Sequence, residues 1–292
     1  MVAHALARST RLLPSLAHLL LVAGCSCSCS GGEPDAKDSA PRADTETSPA
    51  ADNAQGAEKG GRGKRQDLVA TTTEPNAETD TGALQGVLHF EGTPPERTPT
   101  GAASSPECKH HPEVDQLRNL VLVKDGKLAN VFVTLKSGVD TSKVPPAPTT
   151  PVELDQKGCV YLPRVVGLRV GQTLTVRNSD PTAHNVNLKA QRNKSSNRSM
   201  GLGQKPLEFV FDTRELDILV KCDIHPWMGA QVHAETHPWF AVSDADGRVR
   251  IAGIPPGKYT VEARHEEFGT LAGELTVKAG ETTGFEGTFK SK

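Results

Sequence analysis

Large aromatic side chains are scarce. The 292 residues hold 8 Phe, 2 Tyr and 2 Trp, and none precedes Phe90. The first 80 residues therefore lack the side chains that most readily build a core. Residues 31–80 hold one Leu and one Val in a background rich in Gly, Ala, Ser, Thr, Pro, Asp and Glu. Such a segment buries too little surface to offset its ordering entropy, so residues 25–82 are expected to be a disordered tether. An excess of one charge is also missing. Lys and Arg total 33, Asp and Glu 35, for a net charge of −2, which gives no basic footprint for nucleic acid. No apolar run approaches the ~20 residues that a membrane-spanning helix needs. No phosphate loop, Ser-His-Asp set or paired-carboxylate pattern stands out, so an enzyme is the least supported class. No long helical periodicity is present.

What is there begins with a leader. Arg8 and Arg11 precede the short apolar run Leu12–Ala23, and residues 1–24 read as a secretory signal. The run ends in Val22-Ala23-Gly24-Cys25, which resembles the lipobox of bacterial lipoproteins. The resemblance implies that Cys25 is lipidated, and Ser26 after it resembles the outer-membrane sorting pattern. An ordinary cleaved signal stays open. The expected location is the bacterial cell envelope, lipid-anchored, at the outer membrane facing the periplasm or the surface. Export means an oxidising compartment. The six cysteines are Cys25, Cys27, Cys29, Cys108, Cys159 and Cys222. With Cys25 lipidated and Cys222 on a metal, Cys108 and Cys159 are the natural disulfide pair, and closing that loop stabilises by about 4 kcal/mol. Two separate buried thiols are the alternative. Cys27 and Cys29 read as incidental.

From Leu84 onward short strands follow one another. Gly86–Phe90, Asn119–Lys124 and Leu128–Lys136 are apolar runs, the last two joined by Asp125-Gly126, a hairpin signal. Leu168–Val170 and Thr173–Arg177 repeat the device around Gly171-Gln172. Leu207–Phe211, Leu216–Lys221, Ala230–Ala234, Trp239–Ser243, Val249–Ala252 and Tyr259–Ala263 follow, with Asp246-Gly247 and Pro255-Pro256-Gly257 as turns. This punctuation predicts an all-β chain of sandwiches.

Between two of these strands lies Cys222-Asp223-Ile224-His225-Pro226-Trp227-Met228. Thiol, imidazole and thioether recur at three-residue steps, and His184 opens a strand upstream. One Cys, two His and a weak Met are the donors of a blue-copper centre, soft enough for Cu(I) and with imidazoles for Cu(II). A zinc site, which rarely uses thioether, and a plain tight loop stay open. His233, His237, His110, His111 and His265 have no evident partners and read as ordinary strand and loop residues; His233 and His237 leave open a second site. Residues 159–235 resemble a cupredoxin. Cys159–Pro163, Leu168–Asn178 and Asp180–Val186 are similar to its early strands and first-histidine segment, and Cys-x-x-His-Pro-x-Met is similar to amicyanin. The resemblance implies a cupredoxin Greek-key β-sandwich and one mononuclear type 1 copper on His184, Cys222, His225 and Met228. Electrons would pass from the buried Cys–copper pair through an exposed His225 edge to a periplasmic or cell-envelope redox protein.

Residues 241–261 resemble the carboxypeptidase-regulatory-like, transthyretin-like sandwich. Residues 237–292 alone are short for a core, and that family begins with strands like Gly86–Phe90 and Ala129–Leu135. The expected layout is a split regulatory-like β-sandwich, 83–146 plus 237–292, with a cupredoxin inserted at 147–236. The alternative is a longer cupredoxin over 83–235 with a β tail. The combined layout is similar to bacterial proteins labelled methylamine-utilisation-like. Two functions follow: a lipid-tethered electron carrier, or a copper-storage or delivery protein or non-redox β-sandwich binding module.

Overall fold

The Asp-Gly turn forms where its chemistry places it. In the computed structural model, which describes residues 68–75 and 80–291, Asp125 and Gly126 both take positive φ, 50° and 70°, as a two-residue hairpin connection favours. The strands it joins are short, Val123–Lys124 and Lys127–Leu128. The run read as one strand, Leu128–Lys136, is two. Asn130 takes φ 61°, and the chain crosses to another sheet and resumes as Phe132–Ser137. The Ser243 hydroxyl spans the break. It accepts from the Val131 N–H and donates to the Leu128 carbonyl, both at 2.9 Å.

The expected hairpin at 168–177 is a corner. Val165–Arg169 pairs in parallel with Gly229–Glu235, whereas Thr173–Asn178 pairs with Val152–Lys157 and Leu207–Val210 in a different sheet. Gly171, at φ 83°, makes the turn. Its N–H donates to the Phe211 carbonyl at 2.9 Å, so the segment is committed to crossing between sheets.

The described chain is all-β, with three short 3-10 turns and no α-helix among the described residues. Gly82–Glu91 lies parallel to Glu281–Lys290 and antiparallel to Arg248–Ile254 in one sheet, whose far end is the Asp-Gly hairpin. Facing it is a four-stranded sheet in the order Phe240–Val242, Phe132–Ser137, Gly257–His265, Gly269–Val277. Leu84, Leu88, Val133, Leu135, Val261 and Phe285 meet between them. Burial of each such side chain stabilises by roughly 1.5–3 kcal/mol.

A second core lies between two further sheets. One runs Ser196–Met200, His184–Lys189, Glu215–Lys221, Gly229–Glu235, Val165–Arg169; the other runs Leu207–Val210, Thr173–Asn178, Val152–Lys157, Val160–Leu162. Leu154, Tyr161, Leu168, Val186, Val220 and Val232 fill it. The long connection after Glu91 also reaches this core. Its ends pair, Arg118 N–H to Thr98 carbonyl and Thr100 N–H to Gln116 carbonyl, and Ala102 and Cys108 are fully buried in the second core.

Part of the expected tether is strand instead. Val69–Pro75 pairs antiparallel with Glu281–Lys290, and Leu68 is buried in the first core. The expected leader at 1–24 and Cys25, Cys27 and Cys29 lie outside the described residues.

Candidate metal centre

The loop from Cys222 to Met228 is closed at its base. Lys221 and Gly229 are paired across the strands that enter and leave it. The Met228 N–H donates to the His225 carbonyl at 2.9 Å, and the Cys222 N–H to the Met228 carbonyl at 3.4 Å. Cys222 and Met228 are both buried in the second core. The neighbouring strand begins at His184, and Asn187 stands opposite Lys221. A polar turn delivers it: Asn178 accepts from the Asp180 N–H and donates to the Thr182 carbonyl.

His184, Cys222 and His225 meet. The two Nδ1 atoms are 2.9 Å apart. The Cys222 Sγ is 3.9 Å from His184 Nδ1 and 3.8 Å from His225 Nδ1. All three residues are buried, and His225 is only 5% exposed. Two imidazole nitrogens facing at this distance need something between them. A proton does it, and so does a metal ion. The thiol beside them makes that ion a soft or borderline one. The donors therefore fit copper.

The His184 tautomer is fixed from behind. Its Nε2 lies 2.9 Å from Asp180 Oδ2, so a proton on Nε2 donates to the carboxylate and Nδ1 keeps its lone pair. Asp180 is itself held, accepting from the Gly158 and Cys159 N–H groups at 2.6 and 2.9 Å. Burial raises the Asp180 carboxyl, but the His184 hydrogen bond and those two N–H groups outweigh it and leave it below the ordinary value. Burial lowers the His184 imidazole, and Asp180 and Cys222 together raise it above the usual range. Burial raises the Cys222 thiol. Hydrogen bonding from His184 and from the N–H groups of Asn185, His225 and Ile224 brings it below the ordinary value, toward the thiolate that a metal needs. His225 is lowered, first by burial and then by the charge of His184.

A second set of groups pins the loop. The Asn185 side-chain oxygen accepts from the Asp223 N–H at 2.6 Å and from the Cys222 thiol at 3.4 Å. The Asp223 carboxylate accepts from Asn185, Asn187 and Asn197. Motif reading names neither Asp180 nor Asp223 as an orienting group. The one signal for Asp180 is its four-residue step to His184.

The His225 edge departs from expectation: it is covered. Trp227 lies against it, ring centroids 5.2 Å apart, and donates its indole N–H to the Cys159 carbonyl at 2.9 Å. Gly101, from the long connection, packs so closely on Trp227 that a Cβ there would come within 2.2 Å of the ring. Cys108, on the same connection, is disulfide-bonded to Cys159, and Cys222 is the free cysteine of the described residues.

His233, His237, His265 and His111 are spent on structure. His233 stacks on Phe132 at 4.1 Å and accepts from the Asp217 N–H. His237 contacts the Leu135 carbonyl at 2.8 Å and accepts from the Trp239 N–H. His265 accepts from the Glu267 N–H, His111 contacts the Ser179 carbonyl, and His110 is exposed.

Residues 223–290 match the model of the carboxypeptidase regulatory-like domain. None of the curated proteins matches the chain. Among solved structures it is similar to a purple cupredoxin from Nitrosopumilus maritimus, at 22% identity over 28% of this chain and 98% of that one, with TM-score 0.25. It is similar to the Cu(I) form of an amicyanin variant, at 19% identity over 35% of this chain and 98% of that one, TM-score 0.27. It is also similar to a copper-containing nitrite reductase from Thermus scotoductus, at 20% identity and TM-score 0.29, over 32% of this chain. The match spans 27% of that enzyme's length.

Proposed function

We propose that this chain is an exported, lipid-anchored copper protein that passes single electrons through one mononuclear type 1 centre. Its donors are His184, Cys222, His225 and Met228, and its partner is a redox protein of the cell envelope. The observation that carries this reading is the buried meeting of two Nδ1 atoms and one thiol. Bound copper supplies a one-electron couple whose two states share this mixed set of soft and imidazole donors. The chain supplies the rest. Asp180 holds the His184 lone pair inward. Asn185 and Asp223 hold the loop, so the donors need not rearrange between states. Trp227 and the disulfide-linked connection keep water from the His225 edge.

The covered edge of His225 favours a second reading, copper storage or delivery, in which the ion is kept rather than cycled. One experiment separates them. Cu(II) added to the purified full chain gives an intense visible charge-transfer band, which Cys222→Ala abolishes and His184→Ala distorts. A protein that stays colourless and ignores copper overturns the copper reading. Tight retention without reversible one-electron cycling selects storage.

A further inference from the structure

We infer that Cys108 and Cys159, once their disulfide is reduced, form a second soft-metal site beside the first, so that the thiol state of this pair sets how much Cu(I) the corner holds. The inference rests on the proposed copper centre. Its basis is placement. The two sulfurs and a ring nitrogen of His225 all lie within 4.8 Å of one another. The Cys159 sulfur is also within 4.8 Å of donor atoms of His184 and Asp180. This pair therefore borders the His184, Cys222 and His225 set, and both its residues are fully buried.

The thiols would stay in place after reduction, because other bonds dock both ends. Cys159 sits in a left-handed turn, φ 53°, with its N–H on Asp180 and its carbonyl on the Trp227 indole. The segment carrying Cys108 is held by Gln116 to the Gly158 carbonyl at 3.1 Å, His111 to the Ser179 carbonyl at 3.0 Å, and Glu113 to Lys157 at 2.7 Å. None of these passes through the S–S bond. A disulfide sulfur is a poor ligand, whereas two thiolates are by themselves a sufficient set for Cu(I), so the pair can hold an ion while His225 serves the first centre. The reductant is a dithiol. Its thiolate attacks one sulfur of the bridge to give a mixed disulfide, and its second thiol closes on the first. Two electrons and two protons are left on Cys108 and Cys159 as thiols. Cu(I) then displaces the thiol protons. Cys108 is itself part of a single 3-10 turn, Pro106–Cys108, followed by the exposed Lys109 and His110, so local opening of that turn is the route for attack.

The test is an anaerobic titration of the full chain with Cu(I) against a chromogenic Cu(I) chelator. Oxidised protein is compared with protein reduced by dithiothreitol and desalted, and thiols are counted in each. The expected result is one Cu(I) for oxidised protein and two for reduced. Cys108→Ser/Cys159→Ser holds one in either condition, which also controls for the thiols of Cys25, Cys27 and Cys29. If that variant fails to fold, reduced wild type whose Cys108–Cys159 disulfide is re-formed with an oxidant makes the same comparison, because it is expected to return to one Cu(I). Cys222→Ala is expected to hold none when oxidised and one when reduced. Equal stoichiometry in both states, with two new thiols counted, overturns the inference and leaves the first centre standing. A disulfide that folded protein never yields to dithiothreitol overturns it too. Oxidised wild type that takes no copper removes the proposed centre instead, and a reduced protein that then holds one Cu(I) keeps the dithiol site.

Discussion

Asp180 shows how one side chain ties three parts of the site together. It accepts from His184 and from the N–H groups of Gly158 and Cys159. Asp180→Asn removes the charge and turns one of the two acceptor oxygens into a donor, which then opposes either His184 and the Cys159 N–H or the Gly158 N–H. Outer partners of this kind are worth 10–100-fold in metal affinity, so copper retention is expected to fall by about tenfold or more in a chelator competition. Unchanged retention would show that the His184 tautomer is set by something else. Gly101 makes a separate prediction. Gly101→Ala drives a Cβ into the Trp227 ring and is expected to cost about 1–3 kcal/mol, with a shift in tryptophan emission as the ring moves off His225. The donors are legible in the sequence because thiol, imidazole and thioether recur in one loop. The groups behind them are not. An Asp in a polar turn reads as a turn-former or cap, and only folding brings residues 158 and 159 onto it.

At the scale of strands, turn chemistry is readable and sheet membership is not. Asp125-Gly126 declares its turn. The crossover at Asn130 hides inside an apolar run, because both halves are buried and periodicity alone does not say between which sheets. Ser196–Met200 carries too little apolar alternation to stand out. The expected assignment of 83–146 to one unit also mixes two environments. Gly82–Glu91 and Phe132–Ser137 pair with strands of residues 240–290, while Ala102 and Cys108 lie in the other core. We propose from this pairing that residues 147–236 are an insertion in a split sandwich. Leu84→Ala, at a fully buried site of the first core, is then expected to cost 2–5 kcal/mol, the range for such cavities. Hydrogen exchange should quicken across Gly82–Glu91, Arg248–Ile254 and Glu281–Lys290 and change little across 152–235. Equal loss in both cores would argue for one cooperative unit.

At the scale of the whole molecule, the two cores meet along a junction dense in polar contacts. His233, from the strand that leaves the Cys222–Met228 loop, stacks on Phe132 of the other sandwich. Thr134 donates to Glu235 at 3.2 Å, and Arg264 pairs with Asp217. His233 has one ring nitrogen on the Asp217 N–H and the other, Nε2, buried without a partner. Burial pushes its pKa from 6.5 down to about 4, with Asp217 and Glu235 opposing and Arg264 assisting. Burial also lowers His265 to about 4, with Arg164 assisting. Above 6.5 folded and unfolded chains are both neutral at these residues, and nothing is lost. Between 6.5 and about 4 the unfolded chain binds protons that the folded chain refuses, so stability falls as the pH falls. At pH 5 the gap is 1.5 units, which for His233 alone is about 2 kcal/mol. Urea unfolding at pH 7 and pH 5 should show that loss in wild type. His233→Leu forfeits the acceptor for the Asp217 N–H and is expected to be less stable at pH 7, yet to lose about 2 kcal/mol less than wild type on going to pH 5. Equal losses in the two proteins would mean that the junction opens to water before the core unfolds, and that His233 titrates there as an ordinary histidine.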